Sequence, residues 1–193
     1  LHMKELFLTI TVIFAVYIVI VAVLLYLFGS RNPIDDFSPE HLIDNFSLAM
    51  STLATGGFTP TSTILDDLLW QEHIILMGAM ILGALPFTFH YAFVRKKFLS
   101  PKLGKEVLTY FGILGGATIL FILVSGLEPL QSAFYSVSAS TTAGLQQESL
   151  AGLNGGAHTI LIILMFIGGC GFSTAGGLKI FRLFHLQNCR SFF

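Results

Sequence analysis

The amino-acid sequence predicts an all-α membrane protein made of two consecutive units, each with two spans and a short helix and loop between them. Hydrophobic residues make up 54% of the 193 residues and charged residues 11%, and the mean hydropathy is +0.79. A soluble domain carries about 25% charged residues, so this composition indicates a chain that lies in a lipid bilayer. Each span needs about 20 apolar residues, which leaves room for four spans and short connections but for no separate soluble domain.

The first unit begins with a span and a short helix. Residues 6–28 contain no charge, and a helix of that length rises about 34 Å, enough to cross the hydrocarbon layer. Ser38 followed by Pro39 is typical of a helix N-cap with proline at the first helical position. The next helix is therefore predicted over residues 39–51, which is too short to cross a membrane.

A loop rich in glycine and threonine follows, and a second span closes the unit. Residues 52–58 continue directly from the short helix, so we expect the helix and loop to be re-entrant. Residues 70–93 are the next apolar run, which the basic residues 95–97 end, and Trp70 stands where an interfacial anchor is expected. We assign residues 1–100 to the first unit.

The same order returns in the second unit, residues 101–193. An apolar span is predicted over 106–125, a short helix over 128–138, a small-residue loop over 140–145 and a final span over 157–179. The second unit therefore repeats the first, element by element.

The two units also match at single positions. One fixed offset relates two sets of residues around the loops, which are Ser51, Thr55, Gly57 and Phe58, and Ser138, Thr142, Gly144 and Leu145. Nearly the same offset relates two sets in the closing spans, which are Met80, Gly83 and Phe87, and Met165, Gly168 and Phe172. Matches at a constant spacing indicate an internal repeat.

The basic residues predict the orientation of the chain. If each unit is a span, a re-entrant loop and a span, they fall on one side of the membrane, with Arg31 as the exception. They are Lys4, Arg95, Lys96, Lys97, Lys102, Lys105, Lys179, Arg182 and Arg190. The positive-inside rule then places both termini and the 95–105 connection in the cytoplasm, and both loops open outward.

Two small-residue loops at membrane depth indicate a cation pore. Lipid offers no hydrogen-bond partner, so irregular backbone is tolerated only inside protein or beside a water-filled cavity. Backbone carbonyls can replace the hydration shell of a cation, and glycine permits the backbone angles that turn them toward one axis. The negative end of each short helix would also favour a cation. This is the pore-loop architecture of potassium channels, and its candidate ion-binding residues here are Ala54, Thr55, Gly56, Gly57, Thr141, Thr142, Ala143 and Gly144.

At these loops and in the last span the sequence resembles the Trk/Ktr/HKT potassium transporters, most closely the TrkH type. The motifs that carry the resemblance are STLATGGF (51–58), SASTTAGL (138–145) and IGGCGFSTAGGLK (167–179). The resemblance implies four span-loop-span repeats around one path, with K⁺ as the transported ion and no organic cofactor in this chain. It also implies that the last motif interrupts its span and obstructs the pore, with gate residues Gly168, Gly169, Gly171, Ser173, Thr174, Gly176 and Gly177.

Within that family, the chain corresponds to the second and third repeats. Four filter segments surround an ion, so we expect a fragment of a longer protein or a half-protein completed by another chain, and we favour the fragment. The resemblance further implies a homodimer and a cytoplasmic nucleotide-binding ring as regulator.

Other interpretations remain beside this one. A single small-residue cluster is more often a helix-packing surface than a filter, and it is the repetition that favours a filter. Ser173 with His90 or His158 would make an intramembrane serine hydrolase, but no Gly-x-Ser-x-Gly elbow is present, so we expect no enzyme and no catalytic residue. Broken helices would also suit a secondary transporter with inverted repeats, whereas the two units here run parallel.

Two further site classes are excluded by composition and spacing. Cys170 and Cys189 show neither a disulfide framework nor zinc-ligand spacing, so both are interpreted as packing residues. The few basic residues lie at span ends, which argues against a nucleic-acid partner. The expected surroundings are the lipids of the cytoplasmic membrane.

Overall fold

The computed structural model describes residues 3–29, 39–60, 65, 69–95, 100–147 and 152–182, and these ranges hold helices and no strand. The helices are α1 (Met3–Phe28), α2 (Pro39–Leu53), α3 (Trp70–Ala84), α4 (Phe87–Val94), α5 (Pro101–Ser125), α6 (Pro129–Ser140) and α7 (Gly155–Ile167). The predicted all-helical fold is confirmed. Two helices, α1 and α5, are long and apolar enough to cross a membrane by themselves, and the α3–α4 pair would make a third, bent span.

Most helix ends fall where local sequence signals place them. Helices α1, α2 and α6 agree with the predicted segments to within a few residues, although Ser38, the predicted cap of α2, lies outside the described residues. Helix α5 starts five residues earlier than predicted because Ser100 caps it, accepting a bond from the Leu103 N–H at 3.4 Å, and Pro101 occupies its first turn.

The apolar run 70–93 does not form one straight span, which corrects the prediction. Helix α3 ends at Ala84, α4 begins at Phe87, and the two axes meet at 101°. Pro86 causes the break because it has no N–H to offer the Leu82 carbonyl and disfavours helical backbone at Leu85, which is extended (φ −78°, ψ 151°). His90 compensates, since its Nε2 lies 3.0 Å from the Leu82 oxygen.

The final span is also interrupted. Helix α7 starts after Asn154, whose side chain accepts a bond from the Ala157 N–H at 2.9 Å. It ends at Ile167, and residues 168–179 are irregular. The predicted span 157–179 is therefore helical only in its first half. The irregular half coincides with the third motif of the sequence resemblance.

One buried core joins the two halves of the chain. It contains Leu25, Leu53 and Met80 from the first half together with Tyr110 and Phe134 from the second. Outward faces of the long helices stay apolar, since Phe7 of α1 is 74% exposed, and Leu108 and Leu123 of α5 are 74% and 77% exposed. Apolar faces of this size suit contact with lipid.

Several predicted positions lie outside the described residues. They are Arg31, Lys96, Lys97, Cys189 and Arg190. Cys170, by contrast, is fully buried and carries a free thiol, as a packing residue should. The orientation of the chain stays a prediction.

Candidate ion-conducting site

The first predicted filter segment, residues 54–57, directly follows the last turn of α2 and is called the first filter loop. Gly56 N–H donates to the Ser51 carbonyl at 2.7 Å, and Phe58 N–H donates to Ser51 Oγ at 2.8 Å. Thr55 and Gly57 have left-handed backbone, with φ of +53° and +73°. Ala54 and Gly56 are exposed, whereas Thr55 and Gly57 are half-buried.

The second filter loop, residues 141–144, follows α6 with the same conformation. Thr142 and Gly144 have φ of +56° and +76°, close to the +53° and +73° of Thr55 and Gly57 in the first loop. Ala143 N–H donates to the Ser138 carbonyl at 3.0 Å, which is the counterpart of the bond from Gly56 to Ser51. The repeat seen in the sequence is therefore a repeat of backbone geometry at the predicted ion-binding positions.

The two loops lie side by side. A Cβ atom placed on Gly57 would collide with the carbonyl oxygen of Ala143, whereas one on Gly144 would meet nothing within 4 Å. The structure thus brings both predicted filter segments to one place. Thr141 is fully buried and its hydroxyl donates to Val137 O at 2.8 Å, so its side chain is committed to α6, while its backbone carbonyl accepts from Thr142 Oγ1 at 2.7 Å.

Sequence reasoning placed two anchoring serines in the repeat but missed their role. Ser51 Oγ accepts from Phe58 N–H, and Ser138 Oγ donates to the Leu145 carbonyl at 2.7 Å. Each serine thereby ties the residue after a filter loop back to the preceding helix. Their matching positions at the repeat offset were the available signal.

The predicted gate segment, residues 168–177, forms a closed loop and is called the gate loop. Its ends approach so closely that a Cβ on Gly168 would collide with the Gly176 carbonyl, and one on Gly177 would lie 2.6 Å from Gly168 Cα. Both glycines have positive φ, +70° and +82°, which residues with a side chain rarely adopt. Leu178 N–H and Lys179 N–H donate to Phe166 O and Ile167 O at 2.9 and 3.0 Å, so the loop is fastened at its base.

The gate loop docks on the break between α3 and α4. Cys170 N–H and Thr174 N–H donate to Ala84 O and Gly83 O at 3.1 and 3.2 Å, and Phe87 N–H donates to Phe172 O at 2.8 Å. An unbroken helix would use these backbone groups internally. The break at Pro86 therefore provides the surface that receives the loop.

Small residues let the loop fit against that surface. A Cβ on Gly169 would lie 2.6 Å from Ala175 Cβ and 3.2 Å from Ala84 Cβ, and one on Gly83 would collide with Leu53 O. Substitution at Gly169 would distort the loop and push it away from the break, whereas substitution at Gly83 would first push α3 away from the end of α2. Predicted gate residue Gly169 is therefore a packing position.

The gate loop also contacts both filter loops. Thr55 Oγ1 lies 3.0 Å from Thr174 O, and Gly176 N–H donates to Thr142 Oγ1 at 2.6 Å. Thr174 Oγ1 lies 2.7 Å from Gly83 O and 3.1 Å from Leu53 O, the carbonyl of the last residue of α2. Thr174 and Gly176 are thus the predicted gate residues that contact the predicted filter segments.

Ser173 has no hydrolase geometry. Its hydroxyl donates to Cys170 O at 2.7 Å, and its own carbonyl accepts from Lys179 Nζ at 3.2 Å. The two candidate bases are engaged elsewhere, because His90 contacts Tyr17 and Leu82 and His158 contacts the Asn154 carbonyl. Within the described ranges no cluster of three or more His, Cys, Asp or Glu side chains could hold a metal ion.

Comparison with known proteins finds one matching family model and several relatives with similar sequences. The TrkH family model, described as a cation transport protein, matches residues 107–191. Trk system potassium uptake protein TrkI from Halomonas elongata is 30% identical over 172 residues, covering 84% of this chain and 33% of the relative. TrkH from Vibrio parahaemolyticus is 28% identical over 162 residues, covering 76% and 33%. The chain thus spans about a third of the length of these curated relatives.

A solved structure matches as well. The crystal structure of the potassium transporter TrkH from Vibrio parahaemolyticus superposes with a TM-score of 0.73 and 27% identity, covering 91% of this chain and 39% of that chain. The resemblance to TrkH-type transporters, inferred from three motifs, is confirmed by family model, relatives and fold together. These relatives are named as transport proteins, which also confirms that the chain groups with transporters rather than with enzymes.

Proposed function

We propose that this chain, which is similar in sequence and fold to part of the TrkH-type transporters, contributes two quarters of a potassium-conducting pore in the cytoplasmic membrane. The observation that carries the proposal is the repeated filter geometry, in which Thr55 and Gly57 match Thr142 and Gly144 in backbone conformation. Lysines and arginines at the span ends support cytoplasmic termini, and the relatives' printed names support K⁺ as the ion.

The conformation of each filter loop suits a desolvated cation. Gly56 and Ala143 lie between left-handed neighbours without being left-handed themselves. Glycine at positions 57 and 144 permits this backbone, and carbonyls of residues 54–57 and 141–144 that face one axis can replace the hydration shell of a cation. Helices α2 and α6 end at these loops, and their partial negative charge favours a cation there.

The position of the gate loop suits a role in closing the ion path at the inner end of the filter. It is the one segment that hydrogen-bonds Thr55, Thr142 and the broken span at once within the described residues. We propose that the gate loop closes the ion path in the arrangement seen here. These hydrogen bonds must then break before ions can pass.

Completion of the pore requires further segments. Residues 1–100 and 101–193 would each supply one span-loop-span repeat, and two more repeats would come from the rest of a longer chain or from another chain. The same proposal includes a homodimer and a cytoplasmic nucleotide-binding ring as regulator. Both of these parts rest on the similarity to the family alone.

Substitution of Gly144 by serine in the full-length protein tests the filter. Gly144 is suited to the test because a side chain there has free space, while its φ of +76° costs an L-residue roughly 1–2 kcal/mol. The strained loop should lose its carbonyl alignment, and the ratio of K⁺ to Na⁺ uptake in proteoliposomes should fall about tenfold.

The matched control is Gly112→Ser, on the surface of α5, where a Cβ also has free space. It should leave the ratio unchanged. A folded Gly144→Ser protein with the original K⁺ to Na⁺ ratio would contradict the assignment of the filter.

A further inference from the structure

We propose that Glu106 is a positioning residue that holds the gate loop closed. This inference rests on the proposed function, because it concerns the loop assigned there as the gate. Nothing in the motifs points to Glu106, which lies on α5, 65 positions before the loop residue that it contacts.

The contact is short and buried. Glu106 Oε1 accepts a hydrogen bond from Gly171 N–H at 2.6 Å, and the Glu106 side chain is only 8% exposed. A carboxylate is removed from water only at a large cost unless it is hydrogen-bonded, so its presence at this depth needs a partner that it satisfies. Bonds from a backbone N–H to a charged acceptor are about twice as strong as neutral ones.

The loop is shaped to receive the carboxylate. A Cβ on Gly171 would lie 3.2 Å from Glu106 Oε1 and 2.8 Å from Phe181 Cβ, so a larger residue would separate the two partners. The neighbouring Phe172 has left-handed backbone (φ +54°) and stacks edge-on with Phe181, with the centroids 6.1 Å apart. The bend at residues 171–172 therefore presents the Gly171 N–H to Glu106.

Space for movement lies beside the contact. A cavity of about 590 Å³ is bounded by Glu106, Gly171 and Phe172 and by Lys102 and Lys105. The two lysines bring positive charge to the wall that carries the carboxylate. This cavity gives the loop space to shift once the bond to Glu106 is broken.

The bonds from the gate loop to the α3–α4 break are of a different kind. Cys170, Phe172 and Thr174 bond to the α3–α4 break through neutral backbone groups, and these also define the fold of the loop. The Glu106 contact adds a hydrogen bond between the loop and a carboxylate on α5. Its loss should favour release of the loop while leaving the filter loops intact, because those hang from α2 and α6.

The test uses the full-length protein in proteoliposomes without its regulatory partner. Glu106→Ala should raise unstimulated K⁺ uptake about tenfold, corresponding to about 1.4 kcal/mol, and should leave the K⁺ to Na⁺ ratio unchanged. Glu106→Gln keeps an acceptor oxygen but loses the charge, so a rise of about threefold is expected, about half the effect in free energy. The matched control is Glu5→Ala, since Glu5 is an exposed carboxylate in the first turn of α1.

A second measurement reports the loop directly. Cys170 is fully buried beside Gly171, so a variant in which every other cysteine is serine gives a thiol whose modification rate follows loop opening. Glu106→Ala should raise that rate about tenfold and Glu106→Gln about threefold, in proportion to the gain in open loop.

Unchanged modification and unchanged uptake in a folded Glu106→Ala protein would overturn the inference. Should that variant fail to fold, an unchanged Cys170 rate in Glu106→Gln would overturn it equally. Absence of K⁺ uptake in the parent protein would instead contradict the proposed function. The modification rates of Cys170 would still decide whether Glu106 holds the loop.

Discussion

At the scale of single residues, the Thr142 hydroxyl in the second filter loop both donates and accepts a hydrogen bond. Thr142 Oγ1 donates to Thr141 O at 2.7 Å and accepts from Gly176 N–H at 2.6 Å. A hydroxyl has one hydrogen and two lone pairs, and the N–H places a partial positive charge beside the oxygen that a cation would approach. Under the proposed function, release of the gate loop would also free this oxygen for an ion, and gate opening would then be coupled to ion binding.

Thr142→Val tests this double role because valine keeps the shape and removes the acceptor. The Gly176 N–H is then left unpaired, at a cost of about 1–3 kcal/mol, and the gate loop should open more readily. The modification rate of Cys170 should rise about tenfold, whereas Thr142→Ser, which keeps the hydroxyl, should alter it little.

Thr109→Val is the matched control, since the Thr109 hydroxyl bonds only locally to Lys105 O on α5. Equal Cys170 rates in Thr142→Val and in the parent protein would mean that the contact with Gly176 does not hold the loop.

At the scale of elements, the α3–α4 break depends on His90. The ring is buried, its Nε2 lies 3.0 Å from Leu82 O and its Nδ1 lies 3.3 Å from the Tyr17 hydroxyl. Phe14, Tyr17 and Phe89 surround it edge-on. A carbonyl that Pro86 leaves without its helical partner is thus satisfied by a side chain from the next helix.

His90→Phe keeps the aromatic packing and removes both hydrogen bonds. Leaving the Leu82 carbonyl and Tyr17 hydroxyl without this partner should lower the free energy of unfolding by about 1–3 kcal/mol. The measurement is the midpoint of thermal unfolding of the full-length protein in detergent.

The same change at His158, which lies near the start of α7 and is not buried, should shift the midpoint much less. Indistinguishable midpoints for the two variants would show that His90 does not stabilise the break.

Local signals explain which elements the sequence could predict. Apolar length defines α1, and proline at the first helical position marks α2 and α6, so these helices are predictable. Pro86 inside residues 70–93 was also a signal, since proline interrupts a helix. The 101° bend follows from tertiary contacts, because it is held by His90 and by the gate loop.

Some residues of the candidate site can likewise be predicted from the sequence, whereas others cannot. Repetition reveals Thr55, Gly57, Thr142 and Gly144, because a repeat is visible along the chain. The contact of Glu106 with Gly171 joins residues 65 positions apart without any repeated partner. Such a pair is fixed by packing of α5 against the gate loop, so one sequence gives no sign of it.

At the scale of the whole molecule, the gate loop connects the two halves. It belongs to the second half by sequence, yet its bonds reach Thr55, Gly83 and Ala84 of the first half. The buried core also crosses between the halves, with Met80 and Tyr110 in one cluster. Movement of the loop must therefore break contacts in both repeats together, which favours two discrete positions over gradual opening.

Removal of residues 168–177 tests that arrangement, and the structure shows how to rejoin the chain. Ile167 and Leu178 can be linked directly, because Lys179 N–H already bonds Ile167 O at 3.0 Å and Leu178 N–H bonds Phe166 O at 2.9 Å. The filter loops keep their attachments to α2 and α6 through Ser51 and Ser138. The deletion should therefore preserve the K⁺ to Na⁺ ratio.

Unstimulated K⁺ uptake by the deletion variant should exceed that of Glu106→Ala, since the variant loses every bond of the gate loop and Glu106→Ala loses one. Each net hydrogen bond of this kind is worth about 0.5–1.5 kcal/mol, so removal of several should raise uptake by more than the tenfold that corresponds to 1.4 kcal/mol. Uptake measured in proteoliposomes alongside the folded fraction separates opening from loss of protein. Lower uptake from a fully folded deletion variant would mean that residues 168–177 support the conducting path and do not close it.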